Sequence, residues 1–195
     1  MKAIKFISFI LLITISAHLQ AQKLTQIEKK VIKLIDENNN QAIDLLEKVV
    51  NINSGSLNVL GVKKVGDIFA DEFKAIGFKT TWFEMPETMG RAGHLFCELN
   101  TGIVKGKKIL LIGHLDTVFE ENSLFQMFKR DSMVVYGPGV TDMKGGNIII
   151  LFALKALRDA GVLKNTQIIV AYSGDEESVG NPTSISRKDL IDAAK

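Results

Sequence analysis

The 195-residue sequence contains one cysteine, three prolines, one tryptophan and two tyrosines. A lone thiol, Cys97, excludes an intrachain disulfide, so the fold is held without covalent cross-links. Scarce proline, with 46% hydrophobic and 24% charged residues, excludes the collagen-like, low-complexity and disordered classes. An excess of one charge is also lacking: 24 Lys and Arg against 22 Asp and Glu give no electrostatic basis for nucleic acid as the main partner. The longest apolar run falls short of the ~20 residues that cross a bilayer. These absences leave a folded globular chain with room for one sizeable core.

Lys2 and Lys5 precede an apolar run from Phe6 to Ile15, which ends in Ser16-Ala17-His18-Leu19-Gln20-Ala21. This is the layout of an export signal, with small Ala21 before a cleavage point at Gln22. Residues 1–21 are expected to be a signal peptide and the chain from 22 to be exported, periplasmic or secreted, with no membrane association after cleavage. The alternative is an uncleaved N-terminal anchor. Loss of 1–21 removes two lysines and leaves a formally neutral chain.

From Thr25 to Ile52 apolar residues recur at helical spacing, with an interruption at Glu37–Asn40 that predicts two helices or one kinked there. Asn53-Ser54-Gly55-Ser56 is a break, and Val59 to Ile76 is helical with Gly77 as its C-terminal cap. Thr80 to Glu84 and His94 to Leu99 read as strands. Lys108 to Ile112 is nearly all apolar, as expected of a strand covered on both faces, and the Lys105 to Lys108 run before it reads as a solvated turn. Met133 to Tyr136 is a short strand. Asn147 to Ala160 is a helix closed by Gly161, and Thr166 to Tyr172 is a buried strand. Ser186 is expected to open a last helix, with Asp189 completing a capping box. Strand, crossover helix and strand imply an α/β fold, a mostly parallel sheet with helices on both faces. Cys97, Trp82 and Phe83 read as packing residues.

In such sheets ligands bind beyond the carboxyl ends of the strands. His114-Leu115-Asp116 follows one predicted strand, and alternation points His114 and Asp116 the same way. A carboxylate beside an imidazole fixes its tautomer for metal binding, although an ordinary hydrogen-bonded histidine has the same pattern. The glycine-rich stretch Gly137 to Asn147 lacks the spacing of a nucleotide loop, so Asp142 is its distinctive group, either a helix N-cap or a ligand. Asp175-Glu176-Glu177 follows another strand, as a solvated turn or as two carboxylates dividing metal binding from proton transfer. Together the three segments converge on one rim. An imidazole and several carboxylates without thiolate suit zinc, cobalt or manganese, and a bridged metal pair activates water in hydrolases.

At these residues the sequence resembles a known family. Gly113-His114-Leu115-Asp116-Thr117-Val118, then Tyr136-Gly137-Pro138-Gly139 leading to Asp142-Met143-Lys144-Gly145-Gly146, then Asp175-Glu176-Glu177, closely resemble the motifs of a zinc amidohydrolase family. Its members include aminoacylase, acetylornithine deacetylase, succinyl-diaminopimelate desuccinylase and bacterial glutamate carboxypeptidase, whose branch this chain is most similar to. The resemblance implies that His114 ligates one of two zinc ions, Asp142 bridges both and Glu177 ligates the other; cobalt or manganese are alternatives. It implies that Asp116 orients His114, that Glu176 is the general base, and that the Asp142–Met143 peptide is cis. The implied reaction is hydrolysis of an amide next to a free carboxylate, in a small peptide or an N-acyl amino acid. Lys144 receives no role.

Members of that family are longer, with a lid or dimerisation domain and two further ligands downstream, an acid and a late histidine. Residues 22–195 are therefore expected to be the N-terminal portion of an incomplete catalytic domain. The chain is expected to be inactive alone, with homodimerisation confined to a full-length form. His94 precedes the motifs and does not fill the missing position. The rival readings are a non-catalytic binding or scaffold domain and a di-zinc aminopeptidase.

Overall fold

The computed structural model describes residues 23–102 and 108–195. The expected export segment 1–21, and most of the Lys105 to Lys108 run, lie outside them. Among the described residues no helix is long and apolar enough to cross a membrane.

Helix α1 (Gln26–Val50) opens on a reciprocal capping box: Glu28 N donates to Thr25 Oγ1, and Thr25 N donates to the Glu28 carboxylate at 2.7 Å. It runs without interruption through Glu37–Asn40. There Asn38 donates its side-chain amide to the Leu34 carbonyl at 2.7 Å, which satisfies a polar side chain inside a helix that burial holds together. Leu45, Leu46, Val49 and Val50 bury its second half. Helix α2 (Val59–Ala75) is capped by Asn58, whose side chain accepts from Gly61 N, and the chain leaves it through Gly77 at φ 91°.

The sheet contains β1 (Lys79–Phe83), β2 (His94–Asn100), β3 (Lys108–His114) and β6 (Gln167–Ser173), in the order β1-β2-β6-β3. The α/β class expected from the sequence holds. The parallel pairing is β3 with β6, joined across helix α3 (Gly145–Ala160), while β2 lies antiparallel to both of its neighbours. Phe69 and Phe73 of α2 meet Tyr172 edge-on, and the Tyr172 hydroxyl donates to Asn147 O of α3, so α2 and α3 cover one face. Short helices α4 (Thr183–Ser186) and α5 (Lys188–Ala193) lie by the other.

Two further expectations change, and one expected strand gains an unforeseen partner. Among the described residues β3 pairs with β6 alone and stands at the sheet edge, and with Ile112 56% exposed it is not a strand covered on both faces. The strand Val134–Tyr136 (β5) pairs with Lys129–Asp131 (β4), an exposed charged partner that hydrophobic patterning does not reveal. Ser186 ends α4 rather than capping a helix; α5 begins after Arg187, with no side-chain cap.

Cys97 is fully buried on the helix-covered face, and that burial pushes its thiol up to about 12. The native protein should resist a thiol-specific chromogenic reagent at pH 8, and urea should release one full equivalent. Rapid labelling of the folded chain would contradict this packing.

Candidate metal centre

The parallel register aligns His114 with Ser173, so β3 and β6 end together and the loops that follow them share one rim. Leu115 N donates to Ser173 O at 2.7 Å and holds the two exits side by side. The third segment, residues 140–144, is a single π-type turn leading into α3. Asp142 is not the N-cap of that helix: the helix begins at Gly145 with Lys144 in the cap position and no side-chain cap bond, while the Asp142 carboxylate turns to His114; its φ and ψ are −127° and 102°, and the Asp142–Met143 peptide is cis.

These segments bring together the residues singled out from the sequence. His114 Nε2 lies 3.0 Å from Asp142 Oδ1, and His114 Nδ1 lies 3.0 Å from the Asp116 carbonyl oxygen and 3.5 Å from its carboxylate. The side-chain ligand atoms of His114, Glu176 and Glu177 all lie within 4.8 Å of one another. Burial alone would disfavour the charged imidazole, but the Asp116 and Asp142 hydrogen bonds outweigh it and raise His114 to about 9. Glu177 is pushed above the ordinary carboxylate range, first by burial and then by Asp142, Glu176 and Asp116, against the opposing pull of His114. Crowded carboxylates around one imidazole, with no thiolate, are a donor set that fits a divalent cation of the zinc, cobalt or manganese type.

Asp116 is wholly buried, and its carboxylate accepts from Glu176 N and Glu177 N, each at 3.0 Å, and from Ser56 Oγ at 2.6 Å. Burial opposes its charge, yet these bonds and that to His114 hold its pKa below the usual value. Gly113 is fixed by the same crowding: a Cβ there would come within 2.4 Å of Asn147 Oδ1, while Asn147 Nδ2 donates to His114 O at 2.6 Å. Lys144, unassigned from sequence, is fully buried. Its Nζ donates to Val49 O at 2.9 Å and Ile52 O at 3.0 Å, tying the π-type turn to the end of α1, and desolvation lowers it to about 7.

The acidic loop has its own anchors. Buried Asp175 accepts from Arg187, from Gly180 N and from Ser173 Oγ, while Arg91 donates to Ser178 O and Oγ. His94 accepts from Gly174 N on Nδ1 and donates from Nε2 to Ser186 O, the assignment its two partners require. Neither Ser56 nor Arg187 carries a local sequence signal, since each finds its acceptor only through the fold. A cleft of about 400 Å³ opens beside the centre, lined by Val118, Phe119, Phe125, Val135, Tyr136 and Val140, with Asp142 and Glu177 on its wall.

Residues 110–194 match the sequence pattern described as Peptidase family M20/M25/M40. Carboxypeptidase G2 from Pseudomonas sp. (strain RS-16) is 35% identical over 153 residues, covering 76% of this chain and 34% of that protein. Human carnosine dipeptidase 1 superposes with a TM-score of 0.71 at 20% identity, over 84% of this chain and 37% of that one. The Saccharomyces cerevisiae di-peptidase Dug1p superposes at 0.69 and 18% identity, over 84% and 37%. The chain spans about a third of the length of these relatives.

Arg187→Met would leave the buried Asp175 carboxylate without its cation and loosen the acidic loop. A loss of about 3–5 kcal/mol in urea unfolding is expected, as for other broken ion pairs with a buried partner; an unchanged midpoint would remove this pair from the account of the loop.

Proposed function

Since the chain belongs to peptidase family M20/M25/M40 through residues 110–194, we propose that it carries the motif half of a metal-dependent amide hydrolase. The observation that carries this reading is the convergence of His114, Asp142, Glu176 and Glu177 on one rim. Two divalent ions, zinc in the first place, would be held by His114 with Asp142 and by Asp142 with Glu177. When bound, they supply polarisation of the scissile carbonyl and acidification of water.

The chain's own residues supply the rest. Asp116 and its carbonyl hold the His114 ring from the Nδ1 side, leaving Nε2 directed at Asp142. Glu176, the exposed member of the pair, takes a proton from the attacking water and returns it to the leaving amine. The apolar cleft beside Asp142 gives an apolar group of the substrate a place next to the reacting bond. The substrate class is a small peptide or N-acyl amino acid whose scissile amide adjoins a free carboxylate, and the enzyme is exported.

His114 and Asp142, or Asp142 and Glu177, give each ion two protein ligands, where catalytic zinc ordinarily has three. The full chain should therefore bind zinc measurably by calorimetry but turn over peptides slowly. His114→Ala and Asp142→Asn should abolish binding, whereas Glu176→Gln should retain it. Among dipeptides, hydrolysis of N-blocked but not C-blocked substrates is expected; the reverse preference would identify an aminopeptidase, and absence of zinc binding would sink the metal centre.

A further inference from the structure

The loop Asn53–Ser56 reads from sequence as a mere break, yet it is built into the centre. Ser54 Oγ donates to Leu115 O at 2.9 Å, Thr117 N donates to Ser54 O at 2.9 Å, and Ser56 N donates to Thr117 O at 3.3 Å. The segment thus lies along residues 115–117 as a short parallel bridge. Gly55 allows that approach, because a Cβ there would meet Glu120 Oε2 at 2.4 Å and Glu120 Cα at 2.7 Å. The bridge delivers the Ser56 hydroxyl, itself 1% exposed, to Asp116 Oδ2 from 60 residues away.

The carboxylate accepts three hydrogen bonds and makes one ion-pair contact with His114, whose Nδ1 hydrogen is directed at the Asp116 carbonyl. Oδ1 faces Glu176 N at 3.0 Å and His114 Nδ1 at 3.5 Å; Oδ2 faces Glu177 N at 3.0 Å and Ser56 Oγ at 2.6 Å. The Ser56 bond is the shortest of the set, and it is the one made by a side chain with no other bond to the centre. It fixes the carboxylate plane, and that plane sets where the backbone of Glu176 and Glu177 sits relative to His114.

We propose that Ser56 is a positioning residue for the Glu176–Glu177 pair, acting through Asp116. The role in metal binding rests on the function proposed above; the clamp on the two backbone amides does not. Without the hydroxyl, Oδ2 keeps one donor in a site water does not reach, the carboxylate turns, and the two glutamates lose their common anchor.

The test compares Ser56→Ala, Ser56→Thr and Ser54→Ala in the full chain. Ser54→Ala removes an equally buried hydroxyl from the same loop but leaves both backbone bonds of the bridge and every bond to Asp116 in place, so it reports a purely structural loss. In metal-free protein, amide hydrogen exchange at Glu176 and Glu177 should accelerate roughly tenfold in Ser56→Ala, the scale of one lost hydrogen bond. It should return to the native rate in Ser56→Thr and stay native in Ser54→Ala. Zinc affinity, titrated with the metal alone, should fall about tenfold in Ser56→Ala and hold in the other two, in the range known for residues that orient ligands. Should Ser56→Ala fail to fold, Ser56→Cys, which fills the space with a weak donor, should give an intermediate acceleration. Native exchange rates in Ser56→Ala or Ser56→Cys, or equal acceleration in Ser54→Ala, would overturn the proposal. If the native chain takes up no zinc, the metal centre fails while the exchange rates still decide the clamp.

Discussion

A charge that water cannot reach must be surrounded by donors, and the rim of this molecule is organised around one such charge. Asp116 has no exposed surface, and leaving its carboxylate unpaired there would cost far more than any one hydrogen bond returns. Its donors come from different parts of the chain: the 54–56 loop, the end of β3 and the loop after β6. Satisfying that one group therefore fixes the relative placement of three segments that secondary structure alone leaves free to diverge. The same principle recurs on a smaller scale at Asp175, where Arg187 and Gly180 N hold the far side of the acidic loop. Two buried aspartates thus frame the pair of exposed Glu176 and half-buried Glu177.

The parts legible in the sequence are those whose physics is local. His114, Asp142 and the acidic pair sit at strand and helix ends, where the change from apolar to polar residues marks the rim, and the structure brings them together. Gly77 and Gly161 mark helix ends because positive φ suits a residue without Cβ. What escaped depends on neighbours. Hydrophobic composition shows that Lys108 to Ile112 forms a strand but not that it occupies an edge, since strand order is a property of the whole sheet. The charged β4 carries no alternation at all. Asparagines at 38–40 resemble a break until the buried half of α1 is seen to hold the helix through them. Ser56 is one hydroxyl among many until the 54–56 loop lies along residues 115–117. Asp142 shows the opposite case: a helix-cap reading was available from local chemistry, but the helix begins three residues later, at Gly145, and the carboxylate turns to His114 instead.

The shape of the centre also reflects a division between rigid and open sides. Toward the sheet, buried side chains hold backbone and side-chain acceptors: Asn147 on His114 O, Tyr172 on Asn147 O, Ser173 on Asp175. Toward solvent, Asp142 and Glu176 are exposed, and the cleft with Phe119, Phe125 and Tyr136 opens beside them. Orientation is thus set from beneath, while the groups that would meet a substrate remain accessible from above.

Lys144 gives the motif region a dependence that its own sequence conceals. The acceptors of its ammonium, Val49 O and Ile52 O, lie 95 and 92 residues earlier in the chain, outside the stretch 110–194 that carries the family pattern. That stretch is consequently not an autonomous unit. Excised, it would retain every proposed ligand and lose the helix end that seats the turn bearing Asp142, so transplanting the motifs to another scaffold would require carrying the end of α1 along with them.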